Sequence, residues 1–222
     1  MGTRIKKNPI FKNRQEAAKF LCPKLYAYKG KNPLVLAIPR GAVPMGKIIA
    51  AELGGELDVV LVHKLGAPGN PEYAMGAVSE RGALTTAVYA QHLAVTPGYL
   101  QEEIRHQAWL LEHRRKLYTP HREPHSASNR LVILVDDGIA TGSTMQAAIR
   151  EVEAQRPAKI IVAAAVAPPE AVDILKEEAD EMVVLAVRPD FKAIGDFFQD
   201  FTQVTDDEVA RILKQNPHSK HN

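Results

Sequence analysis

Residues 130–144 constrain this chain more tightly than any other stretch. A continuous apolar run, Leu131, Val132, Ile133, Leu134 and Val135, ends in two adjacent acids, Asp136 and Asp137, and then in a short loop of glycines and hydroxyl residues. The run predicts a buried strand, and the amphipathic segment beyond the loop predicts a helix. The strand would fix both carboxylates at its carboxyl end. Gly138 and Gly142 let backbone N–H groups converge on an anion, while Thr141, Ser143 and Thr144 add donors and the helix presents its positive end to the same point. Carboxylates suited to sugar hydroxyls thus stand a few residues from a cradle suited to phosphate, so a sugar phosphate fits better than free phosphate. A buried strand with an ordinary capped turn would explain the apolar run and one acid, but not two acids followed by two glycines and three hydroxyls.

The rest of the chain supplies strands and helices to surround that one. Residues 34–38 predict a short apolar strand, followed by Pro39, Arg40 and Gly41 and a helix from about Val43 with Pro44 in its first turn. Residues 57–62 predict a second buried strand, which makes a right-handed parallel crossover the expected connection. From His63 through Lys64, Gly66, Pro68, Gly69, Asn70 and Pro71 the composition predicts a movable loop, then a hairpin of 73–79 and 83–89 around Glu80, Arg81 and Gly82. Thr96 would cap a long helix whose far end carries Arg114, Arg115 and Lys116, a run most simply read as solvated. After the central motif come a helix ending before Pro157, a strand at 159–167, a helix from Pro169 and a strand at 182–187. Thr205 and Glu208 form a capping box for a last helix. Before Pro33, Phe11, Ala17, Ala18, Phe20, Leu21 and Leu25 offer an apolar stripe on one helix. Strands and helices alternating in this order predict an α/β fold: an open, mostly parallel twisted sheet flanked by helices. Ligands of such sheets bind beyond the carboxyl ends of the strands.

At 222 residues the chain suits one domain, 1–222, with a core of about 33–187 and a small hood and tail at about 188–222. Its 28 basic and 26 acidic side chains are too balanced for a nucleic-acid binder. One cysteine, Cys22, excludes an internal disulfide, and no apolar run reaches membrane-spanning length, so a cytoplasmic location is the expectation. The spacing of His106, His113, His121 and His125 does not match a zinc site.

From Val132 to Thr144 the sequence resembles the type I phosphoribosyltransferases, whose motif for phosphoribosyl pyrophosphate (PRPP) is four apolar residues, two acids and a loop of this kind. The resemblance implies their fold, with a flexible loop or hairpin and a C-terminal hood, and implies that Asp136 and Asp137 contact the ribose hydroxyls. It places the 5′-phosphate in the loop of Gly138, Ile139, Ala140, Thr141, Gly142, Ser143 and Thr144. Pro39, Arg40 and Gly41 would hold pyrophosphate, joined by Lys64, and Arg40, Lys64 and the two acids would be the catalytic set. Mg²⁺ would be held mainly by the substrate, with Asp136 or Asp137 as its contact from the protein. A homodimer is the expected assembly, and PRPP with a small-molecule acceptor, not nucleic acid or membrane, are the expected partners.

The resemblance implies transfer of the phosphoribosyl group from PRPP to a nitrogen acceptor, a nucleobase, with release of pyrophosphate. Ala140 stands where the 6-oxopurine branch carries an aspartate, which argues against a hypoxanthine or guanine enzyme of the usual kind. The aromatic residues Phe191, Phe197 and Phe198 of the hood could stack on a planar base or belong to the core. The alternative from the same residues is a non-catalytic PRPP- or nucleotide-sensing regulator. A dinucleotide-dependent oxidoreductase would share the fold class, but no glycine fingerprint follows the first strand.

Overall fold

The computed structural model describes residues 9–67, 70–86, 97–120 and 122–215. The cap at Thr96, the hairpin strand beyond Thr86, His121, and Pro68 and Gly69 lie outside these residues. Five parallel strands form the main sheet: β1 (Leu34–Ala37), β2 (Glu56–Val59), β6 (Leu131–Asp136), β7 (Lys159–Ala167) and β8 (Glu181–Val187). They lie in the order β2-β1-β6-β7-β8. The motif strand is central, paired with β1 from Leu34↔Val132 to Ala37↔Val135 and with β7 on its other side.

Strand alternation divides the core in two. Val35, Ala37, Ile133, Val135, Ile161 and Ala163 face one side with helices α1 (Arg14–Lys24), α2 (Val43–Leu53) and α6 (Asp206–Lys214). Leu34, Leu36, Val132, Leu134, Val162 and Ala164 face the other, against α4 (Ser143–Glu153) and α5 (Pro169–Lys176). Both faces being covered explains why these strands read as unbroken apolar runs. Of the stripe expected on α1, Ala17, Ala18 and Leu21 are buried, as are Phe11 and Leu25 beside it, but Phe20 is exposed.

The region after β2 departs from the sequence reading. The run at 57–62 is split: β2 stops at Val59, and β3 (Val62–Ala67) starts a separate antiparallel sheet with β4 (Asn70–Ser79) and β5 (Gly82–Thr86). The expected loop from His63 is therefore largely strand. Pairing with β4 supplies backbone partners from Val62↔Ser79 to Ala67↔Asn70, and the disruptive residues are absorbed as register shifts around Gly66. This small sheet packs against α4 and α3 (Pro97–Tyr118).

Arg115, expected at a solvated helix end, is buried instead. Its Nη1 donates to Asp58 Oδ1 (2.8 Å), its Nε and Nη2 to the carboxylate of Glu80 (2.7 and 2.6 Å), and Nη2 also to the Val59 carbonyl (2.8 Å). Asp58 further accepts from Arg122 Nη2 (3.0 Å) and the backbone N–H of His125 (3.0 Å). One arginine thus joins α3, the end of β2 and the hairpin turn, while the bonds of Arg122 and His125 to Asp58 hold the polar segment 122–129 close to β2.

Candidate functional site

The sheet order dictates where a crevice opens. From β1 the chain crosses outward to β2, whereas from β6 it crosses the other way to β7, so the loops leaving β1 and β6 part from one another. Beyond the carboxyl ends of those two strands lies a cleft of about 290 Å³. It is lined by Ile38 and Pro39 from the β1 side, by Asp136, Gly138, Ile139, Ala140, Thr141, Gly142, Thr144 and Met145 from the β6 side, and by Ile194 from the tail. Binding at such a switch point is the general behaviour of open parallel sheets.

The loop places backbone and hydroxyl groups at the start of α4. Gly142 has a φ of 84°, a conformation that favours glycine, and it turns the chain directly into α4. No side chain caps that helix, so its first N–H groups are not claimed by a capping residue. Thr141 and Ser143 hydroxyls lie 3.1 Å apart, and Ser143 N–H reaches Thr141 Oγ1 at 3.4 Å, a weak local bond that leaves donors for a ligand.

The two acids have different surroundings. Asp136 lines the cleft, and its Oδ1 accepts from the N–H of Asp137 (2.8 Å). Burial first, and the neighbouring Asp137 carboxylate second, push the Asp136 carboxyl well above the usual carboxylate range. Asp137 is buried, and its Oδ2 accepts from Arg14 Nε at 2.6 Å. A side chain at residue 41 would overlap that same oxygen, so Gly41 is the residue that lets the carboxylate sit there. Arg14 carried no signal in the sequence, because it lies 123 positions away on α1.

The Pro39–Arg40 peptide bond is cis. Pro39 reaches the cleft, whereas Arg40 is directed to α6, where its Nη1 donates to Asp206 Oδ2 at 3.0 Å. Asp206 also accepts from the Tyr118 hydroxyl. These bonds hold the Asp206 carboxyl below its ordinary range, the Tyr118 bond contributing most. Lys64 sits on β3, and neither it nor Arg40 nor Asp137 is among the described residues lining the cleft. In the tail, Phe197 and Phe198 are core side chains. Phe197 stacks on Phe191, and Phe198 packs with Phe11 and Phe201. The residue that reaches the cleft from this segment is the aliphatic Ile194, which closes over Gly138 so tightly that an added Cβ there would lie 2.5 Å from it.

Among the described residues no group of three or more His, Cys, Asp or Glu gathers as a metal site, and no helix is long and apolar enough to cross a membrane.

A strand ending in acids at the switch point, followed by an uncapped helix, can be compared with known proteins. The model of the phosphoribosyl transferase domain family matches residues 2–197. The Mycobacterium tuberculosis proteins named "Putative phosphoribosyl transferase MT0597" and "Putative phosphoribosyl transferase Rv0571c" are each 36% identical over 207 residues, 92% of this chain and 46% of theirs. The chain thus spans about half the length of these curated relatives. The crystal structure of TT1426 from Thermus thermophilus is similar at 44% identity with a TM-score of 0.82, covering 91% of this chain and 97% of that one. With a family match running through the whole parallel sheet and the loops at its carboxyl edge, the chain belongs to the phosphoribosyl transferase domain family.

Proposed function

We propose that this chain is a phosphoribosyltransferase that moves the 5-phosphoribosyl group of PRPP to a nitrogen acceptor, a nucleobase, and releases pyrophosphate. The observation that carries the reading is the cleft at the β1/β6 switch point, where one carboxylate, Asp136, faces the uncapped start of α4 across a short loop. The loop N–H groups and hydroxyls of 138–144 would take the 5′-phosphate, and Asp136 would accept from the ribose hydroxyls. The acceptor nitrogen gives its lone pair to C1 as the bond from C1 to the pyrophosphate oxygen breaks. Pyrophosphate leaves with that electron pair, and the nitrogen then gives up a proton. Charge grows on the leaving group while the ring becomes cationic, so the protein's contribution is electrostatic. Arg40 and Lys64 would offset the pyrophosphate charge, which requires Arg40 to leave Asp206.

A single carboxylate with hydroxyls and backbone groups fits a hard ion that arrives on substrate oxygens and keeps its waters. Asp136 is the residue placed to touch Mg²⁺ in that case, and the ion would screen the phosphate charges. We place the protein in the cytoplasm, and the exposed Trp109, Leu110 and Leu117 of α3 suit a homodimer.

One observation favours a second reading, a PRPP- or nucleotide-sensing regulator: Arg40 is engaged by Asp206 and does not line the cleft. Pyrophosphate release measured with PRPP, Mg²⁺ and a panel of purines, pyrimidines and ammonia separates the two. Turnover with one acceptor supports the enzyme, PRPP or nucleotide binding without any turnover supports the regulator, and absence of both PRPP and nucleotide binding removes both.

A further inference from the structure

Helix α3 packs Leu100, Ile104, Ala108, Leu111 and Tyr118 on the core, and the helical period then sends Tyr99, His106, Leu110 and Leu117 to solvent in one row, with Trp109 beside them. Tyr99, Trp109, Leu110 and Leu117 are about two-fifths to about one-half exposed, a large apolar load for the outer side of one helix. The Trp109 indole is held in place: its ring centre lies 3.7 Å from that of His113, whose Nδ1 is 2.8 Å from the Trp109 carbonyl. The charges beside the row follow an order. Glu102, Arg105, Glu112 and Lys116 stand on one side of it, Glu103 and Arg114 on the other. Taken from the two ends of the helix inward they form opposite-sign pairs, Glu102 with Lys116, Glu103 with Arg114 and Arg105 with Glu112. The three pairs share one midpoint, at Ala108 and Trp109.

We propose that the outer row of α3 is a docking surface for a second copy of this chain, on which the two α3 helices pack antiparallel about a two-fold axis at Trp109. Such an axis sets each side of the row against the same side of its copy. Glu102 then meets Lys116 of the partner subunit, Arg105 meets Glu112 of the partner subunit, and Glu103 meets Arg114 of the partner subunit. A parallel pair would oppose each charge by its own kind, which suppresses that arrangement. Tyr99 lies against Leu117 of the partner subunit, and Trp109 meets its own copy, giving an aromatic anchor at the centre with charges at the rim. In the single chain Lys116 reaches Glu112 of its own helix at 2.7 Å, an exposed pair weak enough to exchange for a carboxylate of the partner. The inference rests on the homodimer of the proposed function, for which it names the surface and the register, and it does not depend on PRPP. The inner side of the same helix holds the hairpin turn through Arg115 and Asp206 through Tyr118, so pairing would brace both.

The test is sedimentation equilibrium of the full chain at low salt, from about 1 to about 300 μM, a range suited to a helix pair smaller than a standard interface. The proteins are wild type, Trp109→Lys, Glu102→Lys, Lys116→Glu and the charge-swapped Glu102→Lys/Lys116→Glu, all altered at exposed positions where the fold is least affected. The wild type should dimerise, and Trp109→Lys, which brings two cations together on the axis, should weaken the dimer by at least about tenfold. Each single charge reversal acts twice in a symmetric dimer and should weaken it by at least about fivefold. The swapped protein restores opposite signs across the antiparallel seam and should return to within about threefold of wild type. A swapped protein as weak as the single variants overturns the antiparallel register. Wild-type dimerisation in Trp109→Lys and both single variants overturns the α3 surface while leaving a homodimer through another face. A wild type that stays monomeric removes the homodimer and the surface together. A wild type that dimerises as described without binding PRPP removes the PRPP reading and supports the pairing.

Discussion

Arg40 and Asp206, 166 residues apart, are joined by a 3.0 Å hydrogen bond from Nη1 to Oδ2, so the cation of the first strand-to-helix turn is held by the first residue of α6. Both side chains are about one-third exposed, which makes the bond weak enough to exchange for a ligand. Asp206→Asn should release Arg40 and tighten pyrophosphate binding by about two- to fivefold, the range of a solvent-screened pair. Titration of pyrophosphate with Mg²⁺ into both proteins checks this, and weaker binding in the variant would mean that Asp206 orients Arg40 for the ligand instead of competing with it.

The Arg115 cluster predicts a stability effect far from the cleft. Arg115→Met removes the cation between Asp58 and Glu80: the largely buried Glu80 carboxylate loses its guanidinium, while Asp58 keeps Arg122 and the His125 N–H. The expected cost is about 3–5 kcal/mol by chemical denaturation. A cost near 1 kcal/mol would place those carboxylates in better contact with water than their burial indicates.

His125 predicts a pH dependence. Burial pushes its imidazole below the ordinary value of 6.5; Asp58 and Glu56 act against that shift, and Arg122 and Arg130 act with it. Glu56 lies 3.5 Å from Nδ1, but Arg130 already occupies the same carboxylate oxygen, so the burial effect prevails. With the folded value below the unfolded one, the unfolded chain takes up the proton first. Stability from neutral His125 is complete above pH 6.5 and is lost as pH falls from there through the lower folded value. Urea midpoints between about pH 8 and pH 5 should therefore fall less steeply in His125→Gln than in the wild type; parallel profiles would contradict this.

Gly41→Ala tests the packing around the second acid. The new Cβ would collide with Asp137 Oδ2, and the carboxylate must then leave Arg14. Overpacking of this kind costs about 1–3 kcal/mol. Thermal melting reads the loss, and an unchanged melting temperature would show that Asp137 has another place to go.

The central strand, the parallel sheet and the glycine turn into α4 were legible because each rests on local signals: an apolar run too continuous for a one-faced strand, and glycines and hydroxyls at the start of α4. The small sheet was not, since His63 to Pro71 is rich in residues that break regular structure. The pairing of β3 with β4, from Val62↔Ser79 to Ala67↔Asn70, prevails over them. Arg14 and Arg115 were missed for another reason. Their partners, Asp137 and Asp58, lie 123 and 57 positions away, and no spacing along the chain announces such a pair. The aromatic residues of the hood stood between two readings, and Phe197 and Phe198 proved to be core.

The claim on which the account turns is that Asp136 and the amide pocket after it receive PRPP. Calorimetric titration of PRPP with Mg²⁺ into the wild type and Asp136→Asn tests it most directly. The account predicts saturable one-site binding by the wild type and a loss of about tenfold or more in the variant, from removal of the carboxyl group that accepts from the ribose hydroxyls. Equal binding by the two proteins, or no binding by the wild type, would contradict it.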